Sequence, residues 1–223
     1  MMNDISIEQA DQMIQKLDYT GEGIISFMNR NEKKMTVNIE YYSHQHTQKE
    51  ITSKGETSDP FCLILWNLFK QYQTVNSIAI VRPYYTMLWA TVGRSIPPLN
   101  AYFAEHFSRE IACTERTPEP YSDFVKHQTN LLTQTIGKKE IMDSPAVLMR
   151  GFGAVVFGAS MEETLKNTEL LEKNAEIAWK VFNSTTNLAY MDYSELMTFR
   201  SLYNGTENLL NKKPETIGDH YQL

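Results

Sequence analysis

His44 and His46 form a His-x-His pair. On a strand, a period of two would set both imidazoles on one face, the arrangement from which a transition-metal clamp is built. No third ligand is evident, and the surrounding residues 43–49 are polar, so a solvated loop is the expected setting. The run Ser53-Lys54-Gly55-Glu56-Thr57-Ser58 has the hydroxyl and glycine content of an anion nest, and it lies just before a helix start where backbone N–H groups could hold a phosphate. Glu56 and Asp59 bring negative charge to the same place, and a loop leading to an N-cap explains the composition equally well. Cys62 and Cys113, the two cysteines, each stand among apolar neighbours and read as reduced core residues, not as a disulfide or a metal knuckle. Arg82 follows a short apolar run and is a permanent cation; at a strand end such a residue pairs with a carboxylate, faces solvent, or fixes an anionic ligand.

Hydrophobic periodicity supplies the elements that carry these residues. Residues 6–17 read as a helix, with Ser6 and Gln9 in capping-box spacing and Ala10, Met13, Ile14 and Leu17 along one stripe. Residues 23–28 and 35–41 read as a hairpin across the polar turn 29–34, the second strand alternating Met35, Val37, Ile39 and Tyr41 with Thr36, Asn38 and Glu40. Asp59-Pro60 opens a helix whose residues 61–69 are apolar almost all round, which predicts burial beneath a sheet or at a subunit contact. A strand at 77–81, helices at 84–92 and 100–107, a strand at 111–114 and a helix at 121–136, stopped by Gly137, follow in turn. Residues 146–149 and 154–157 are two short apolar strands around Arg150-Gly151-Phe152-Gly153, where the glycines permit a close turn. Ser160 and Glu163 form a capping box for a long helix, 160–183, with Leu165, Thr168, Leu171 or Glu172, Ala175, Ala178 and Phe182 at helical spacing. A last helix covers 193–210, weakened by Gly205.

Strand, glycine turn, strand and capped helix from 145 onward resemble the class II aldolase and adducin family, nearest to its L-ribulose-5-phosphate 4-epimerase and L-fuculose-phosphate aldolase branch. Members carry Arg-Asn-His-Gly or Arg-Gly-His-Gly where this chain has Arg150, Gly151, Phe152 and Gly153. Trp89-Ala90-Thr91-Val92-Gly93-Arg94-Ser95-Ile96-Pro97-Pro98-Leu99 resembles the family's helix, Gly-Arg and Ile-Pro-x-Leu connection, and Ile111-Ala112-Cys113-Thr114 resembles its next strand. The resemblance covers residues 60–185 well and the ends loosely. It implies one domain over residues 1–223, a three-layer α/β/α fold of the α/β class with a mixed, largely antiparallel central sheet.

The same resemblance implies a replaced metal site. The turn histidine of the family is Phe152 here, and counting back from Gly93 places its His-x-His pair on Ile80 and Arg82. Zinc takes lone pairs from imidazole, thiolate or carboxylate; Ile80 and Phe152 offer none, and Arg82 would repel the ion. No metal and no cofactor is therefore expected. The epimerase branch draws an acid and a base from an acidic residue after the Ile-Pro segment and from a tyrosine near the C-terminus of a neighbouring subunit, which resemble Glu105 and Tyr221. A further acidic position of the epimerases falls on Ser58, with Asp59 beside it, and Arg82 is the cation available to a ligand. The family's Gly-Asn phosphate turn is missing, since the corresponding stretch reads Phe27-Met28-Asn29-Arg30-Asn31.

Composition bounds the reading. A chain of 223 residues, 42% hydrophobic and without a long polar tract, can bury one substantial core. The formal charge of −6 and the absence of any basic cluster denser than Lys33-Lys34 or Lys138-Lys139 argue against nucleic acid as a partner. No apolar run reaches transmembrane length, and Met1-Met2-Asn3-Asp4 is not the start of a signal peptide, so a cytoplasmic protein without a membrane partner is expected. The expected function is that of a divergent, zinc-free family member that has lost aldolase and epimerase chemistry and serves as a binding or structural subunit or by a changed mechanism. The competing expectation is an active lyase, epimerase or decarboxylase on a sugar phosphate or related oxo acid. Family members assemble as tetramers, and residues 61–69 with Tyr84, Tyr85, Phe103 and Phe107 suggest apolar surface for a homo-oligomer; a small anionic sugar or acid is the expected ligand class.

Overall fold

Among the described residues six strands pair in the order β3-β2-β1-β4-β6-β5, and every ladder between named strands is antiparallel. The structure is a computed structural model, and it describes residues 25–30, 35–41, 45–51, 59–119, 121–137, 141–184 and 189–211. The expected helix at 6–17, and with it Ser6 and Gln9, lies outside the described residues.

The N-terminal half of the sheet is built from β1 (Ile25–Arg30), β2 (Met35–Tyr41) and β3 (Gln45–Ile51). The hairpin β1–β2 forms as its alternation predicts, from Ile25 opposite Glu40 to Arg30 opposite Met35, with β1 ending two residues later than expected. From Gln45 onward the polar stretch around the histidine pair is a strand, not a loop. His46 stands in β3, opposite Glu40 of β2, and His44 lies outside the described residues. A sheet edge needs backbone partners and no apolar side chains, so a strand of Gln, His, Thr, Lys and Glu can cover β2, and polarity alone misreads it as a loop.

The other half carries the core of the described residues. Strand β4 (Ser77–Val81) is buried at every residue, as are β5 (Ala146–Met149) and β6 (Gly153–Gly158). Burial on both faces is why these segments read as continuous apolar runs without alternation. Ile78, Ile80, Val147, Met149, Val155 and Phe157 face one apolar cluster, and Ala79, Val81, Ala146, Leu148, Ala154 and Val156 face the other. Helices α1 (Pro60–Gln71) and α4 (Phe124–Ile136) close the first face. Helices α2 (Tyr84–Val92), α3 (Ala101–His106) and α5 (Met161–Ser184) close the second, and α6 (Tyr193–Asn211) adds Leu196 to that face. The three layers are those expected.

Local signals explain most element boundaries. The Asp59 carboxylate accepts from the backbone N–H of Phe61 at 2.9 Å and of Cys62 at 3.0 Å, so α1 is capped by its own sequence, a contact worth about 1 kcal/mol. Ser160 Oγ accepts from Glu163 N at 3.2 Å, and the Glu163 carboxylate returns to Ala159 N at 2.7 Å, a capping box displaced by one residue at its return bond. Helix α4 starts three residues later than expected, behind a tight 3-10 turn at Tyr121–Asp123.

The expected strand at 111–114 reduces to two isolated bridges, because the segment changes partner midway. Ile111 exchanges two 3.0 Å hydrogen bonds with Ile96, while Ala112 O accepts from Leu148 N at 2.8 Å and Leu148 O accepts from Thr114 N at 2.9 Å. The second bridge is parallel and makes the sheet a mixed one. Phe103 and Phe107 are fully buried, and α1 lies beneath the sheet, so neither supplies the free apolar surface that the sequence suggests.

Candidate functional site at the carboxyl end of β4

Alternation along β4 sets the geometry. Ile78 and Ile80 point to the α1–α4 side, and Arg82, two residues beyond Ile80, continues past the strand end. Ile80 is fully buried, with Ser26 of β1 and Val155 of β6 as its cross-strand partners. Across from the strand end, β5 and β6 are joined by the turn that carries Phe152. Gly151 and Gly153 hold φ of 74° and 149°, and a Cβ at Gly153 would collide with the Val81 carbonyl oxygen, so glycine is what allows the turn to seat against the end of β4.

Four side chains meet there. The Arg82 guanidinium carbon lies over the Phe152 ring at 5.0 Å from its centroid. Phe152 stacks on Phe61, the second residue of α1, with centroids 4.8 Å apart and planes at 23°; Phe61 in turn meets Phe124, the first residue of α4, edge to face at 6.1 Å. Phe152, Phe61 and Phe124 are half-buried and pack on the same apolar cluster as Ile80. The positions implied by the family's zinc ligands thus share one face of the sheet, and they meet as an aromatic and aliphatic packing unit topped by a cation.

These residues do not fit a metal ion. An alkyl chain, a phenyl ring and a guanidinium have no lone pair to give, and the guanidinium charge opposes a dication. Among the described residues no group of three or more His, Cys, Asp or Glu side chains stands where it could hold a metal ion.

Glu105 is not brought to Arg82. It lies on α3, on the opposite layer, with its carboxylate 3.8 Å from His106 Nε2 and no ion pair with Arg82 among the described residues. Ser58, Tyr221 and the run 53–58 lie outside the described residues; Asp59 is spent on capping α1. Neither Cys62, which is buried, nor Cys113 is in a disulfide, and burial pushes the Cys113 thiol up to about 11, so it stays protonated and inert near neutral pH.

Two features escaped the sequence reading. Helix α2 begins after Pro83, which offers no side-chain cap, and its N-terminus is closed from another element: the Glu172 carboxylate of α5 accepts from Tyr85 N at 2.7 Å, Thr86 N at 2.9 Å and Thr86 Oγ1 at 2.8 Å. Burial pushes the Glu172 carboxyl up, against the lowering effect of these three donors. An uncapped helix start paired with a carboxylate in an apolar stripe was the available signal. The second is Gly93, left-handed at φ 68°, whose missing Cβ leaves room for the Arg150 side chain, with Nε 2.6 Å from where that atom would be. This places a cation against the C-terminus of α2, where its dipole is negative. An open cleft of about 490 Å³ runs beside the stack between α1 and α4, lined among others by Pro60, Asn67, Asp123, Phe124 and Lys126.

Comparison with solved structures reproduces this architecture. YgbL from Escherichia coli, a candidate aldolase/epimerase/decarboxylase, superposes with a TM-score of 0.64 at 15% identity over 86% of this chain and 93% of its own. An L-fuculose 1-phosphate aldolase gives 0.60 at 10% identity, over 92% of this chain and 100% of the other. The L-fuculose-1-phosphate aldolase from Thermus thermophilus gives 0.58 at 14% identity, covering 81% of this chain and 94% of that one. At such identities the likeness speaks for the fold alone. The profile of the Class II Aldolase and Adducin N-terminal domain matches residues 30–179, most of the described sheet and the helices that cover it, and the chain belongs to that family.

Proposed function

We propose that this protein is a metal-free member of its family, without zinc-dependent aldol or epimerase chemistry, that acts as a binding or structural subunit. The observation that carries this reading is the Arg82–Phe152–Phe61 stack at the strand end. A metal ion in such a site stabilises the developing negative charge on substrate oxygens, a contribution of several kcal/mol to the barrier, and nothing in the stack holds an ion to do so. Proton transfer without metal, by Glu105 with Arg82 as the fixed charge, is not favoured, because the two groups stand on opposite layers of the sheet.

The rest of the proposal concerns assembly and setting. We place the protein in the cytoplasm as a homo-oligomer, a tetramer by family resemblance. Among the described residues Tyr84, Val92, Tyr190, Tyr193 and Phe199 are exposed on the single chain and offer apolar surface for such contacts. No helix among the described residues is long and apolar enough to cross a membrane.

The test is an aldol-cleavage and epimerisation assay on a panel of sugar phosphates, run with added zinc and again with chelator. The expected result is no turnover in either condition. Turnover that rises with zinc and falls with chelator would overturn the proposal.

A further inference from the structure

The arginines of the described residues are not equally paired. Arg200 stands 3.9 Å from Asp143, and Asp143 also faces Arg109. The half-buried Arg82 has no such partner: among the described residues it meets the Phe152 ring, and none of its N–H donors makes a hydrogen bond. A guanidinium over an aromatic face keeps its donors free for the edge-on, two-point pairing that carboxylate and phosphate oxygens accept. The ring also holds the side chain in place, which lowers the entropy lost when an anion binds.

Among the described residues no carboxylate forms an ion pair with Arg82. Ile80 and Val81 before Arg82 and Pro83 after it are apolar and buried. Asp59, the acidic residue at the head of α1, already accepts two backbone hydrogen bonds. Partial burial also makes a charge pair at Arg82 stronger than one at an exposed arginine, because less water screens it.

We propose that Arg82 is the ligand-binding residue of this site, and that it holds the carboxylate or phosphate group of a small organic anion directly, without a metal between them. The inference rests on the metal-free reading above and names the ligand class for the same site. Direct binding accounts for an arginine where a dication would be repelled: the positive charge is fixed in the chain itself.

The experiment uses the full-length protein, wild type and three variants, Arg82→Ala, Arg82→Lys and Arg94→Ala, the last an exposed arginine just past α2. Inorganic phosphate and acetate are titrated separately against chloride at matched ionic strength, following thermal stability and the arginine Nε–H NMR signals. A saturable shift of the Arg82 signal in wild type and in Arg94→Ala, lost in Arg82→Ala and weakened by about tenfold in Arg82→Lys, supports the proposal, since lysine keeps the charge but loses the fork. Response to phosphate alone or acetate alone assigns the source of the anionic group. No saturable shift with either anion, or a shift that survives in Arg82→Ala, overturns it. Circular dichroism on each variant separates a lost site from a lost fold. Zinc uptake by the same samples reports on the metal-free reading independently, so an anion site can fail while that reading stands, and the reverse.

Discussion

Glu172 and Arg82 each carry a charge into the layers that cover the sheet, and their surroundings treat it in opposite ways. Glu172 is 7% exposed, yet both of its carboxylate oxygens are spent on the first turn of α2 and the Thr86 hydroxyl. Arg82 is less buried, and its donors are unspent among the described residues. Burial of a charge alone therefore does not mark a site. A charge satisfied by its own backbone holds the fold together, whereas one left with free donors beside an aromatic wall is available to something else.

The contrast gives a ranked set of substitutions. Glu172→Ala removes the acceptor shared by three donors and is expected to lower the unfolding free energy by about 3 kcal/mol, with Glu172→Gln losing less because it keeps a carbonyl oxygen. Urea unfolding of the three proteins measures this; a loss under about 1 kcal/mol for alanine would remove Glu172 from the structural side of the comparison.

The titration of Glu172 sharpens the same point. Burial raises its folded carboxyl above the ordinary 4.5, so the folded protein holds this proton to higher pH than the unfolded chain. The stability it contributes is present in full below the unfolded value and falls as pH rises through the folded one. The stability of wild type minus that of Glu172→Gln should therefore shrink as pH rises from 4.5, and then level off. A difference that grows with pH would mean that the three donors outweigh burial.

Phe152→Ala comes next, at about 2 kcal/mol, since it breaks the stacking with Phe61 and the contact with Arg82 at a half-buried position. The same unfolding experiment detects it. Ser160→Ala, which removes only the cap of α5, should cost about 1 kcal/mol and leave the sheet end untouched.

How much of this was legible in the sequence follows from which interactions are local. Asp59 and Ser160 act within a turn of their own position, and the helices they open begin where their spacing predicts. Strand β4 was readable because both of its faces are buried and its five residues are apolar apart from Ser77. β3 was not, because an edge strand is held by backbone hydrogen bonds that any polar sequence can make. At the candidate site, the grouping of Ile80, Arg82 and Phe152 came from family resemblance, and two of the three meet directly. Phe61 and Phe124, which complete the packing, come from the heads of two helices 63 residues apart, and no local pattern ties them to the turn. The Glu172 cap was hidden for the same reason, since its partners lie more than eighty residues away.

The central claim is that the strand end holds a packed aromatic ring and a cation instead of a metal ion. Elemental analysis of protein purified without chelator, then dialysed against a zinc solution and freed of excess ion, tests it most directly. The account predicts zinc far below one ion per chain and a melting temperature that chelator leaves unchanged. One tightly held zinc per chain, with a melting temperature that falls when chelator removes it, would contradict it.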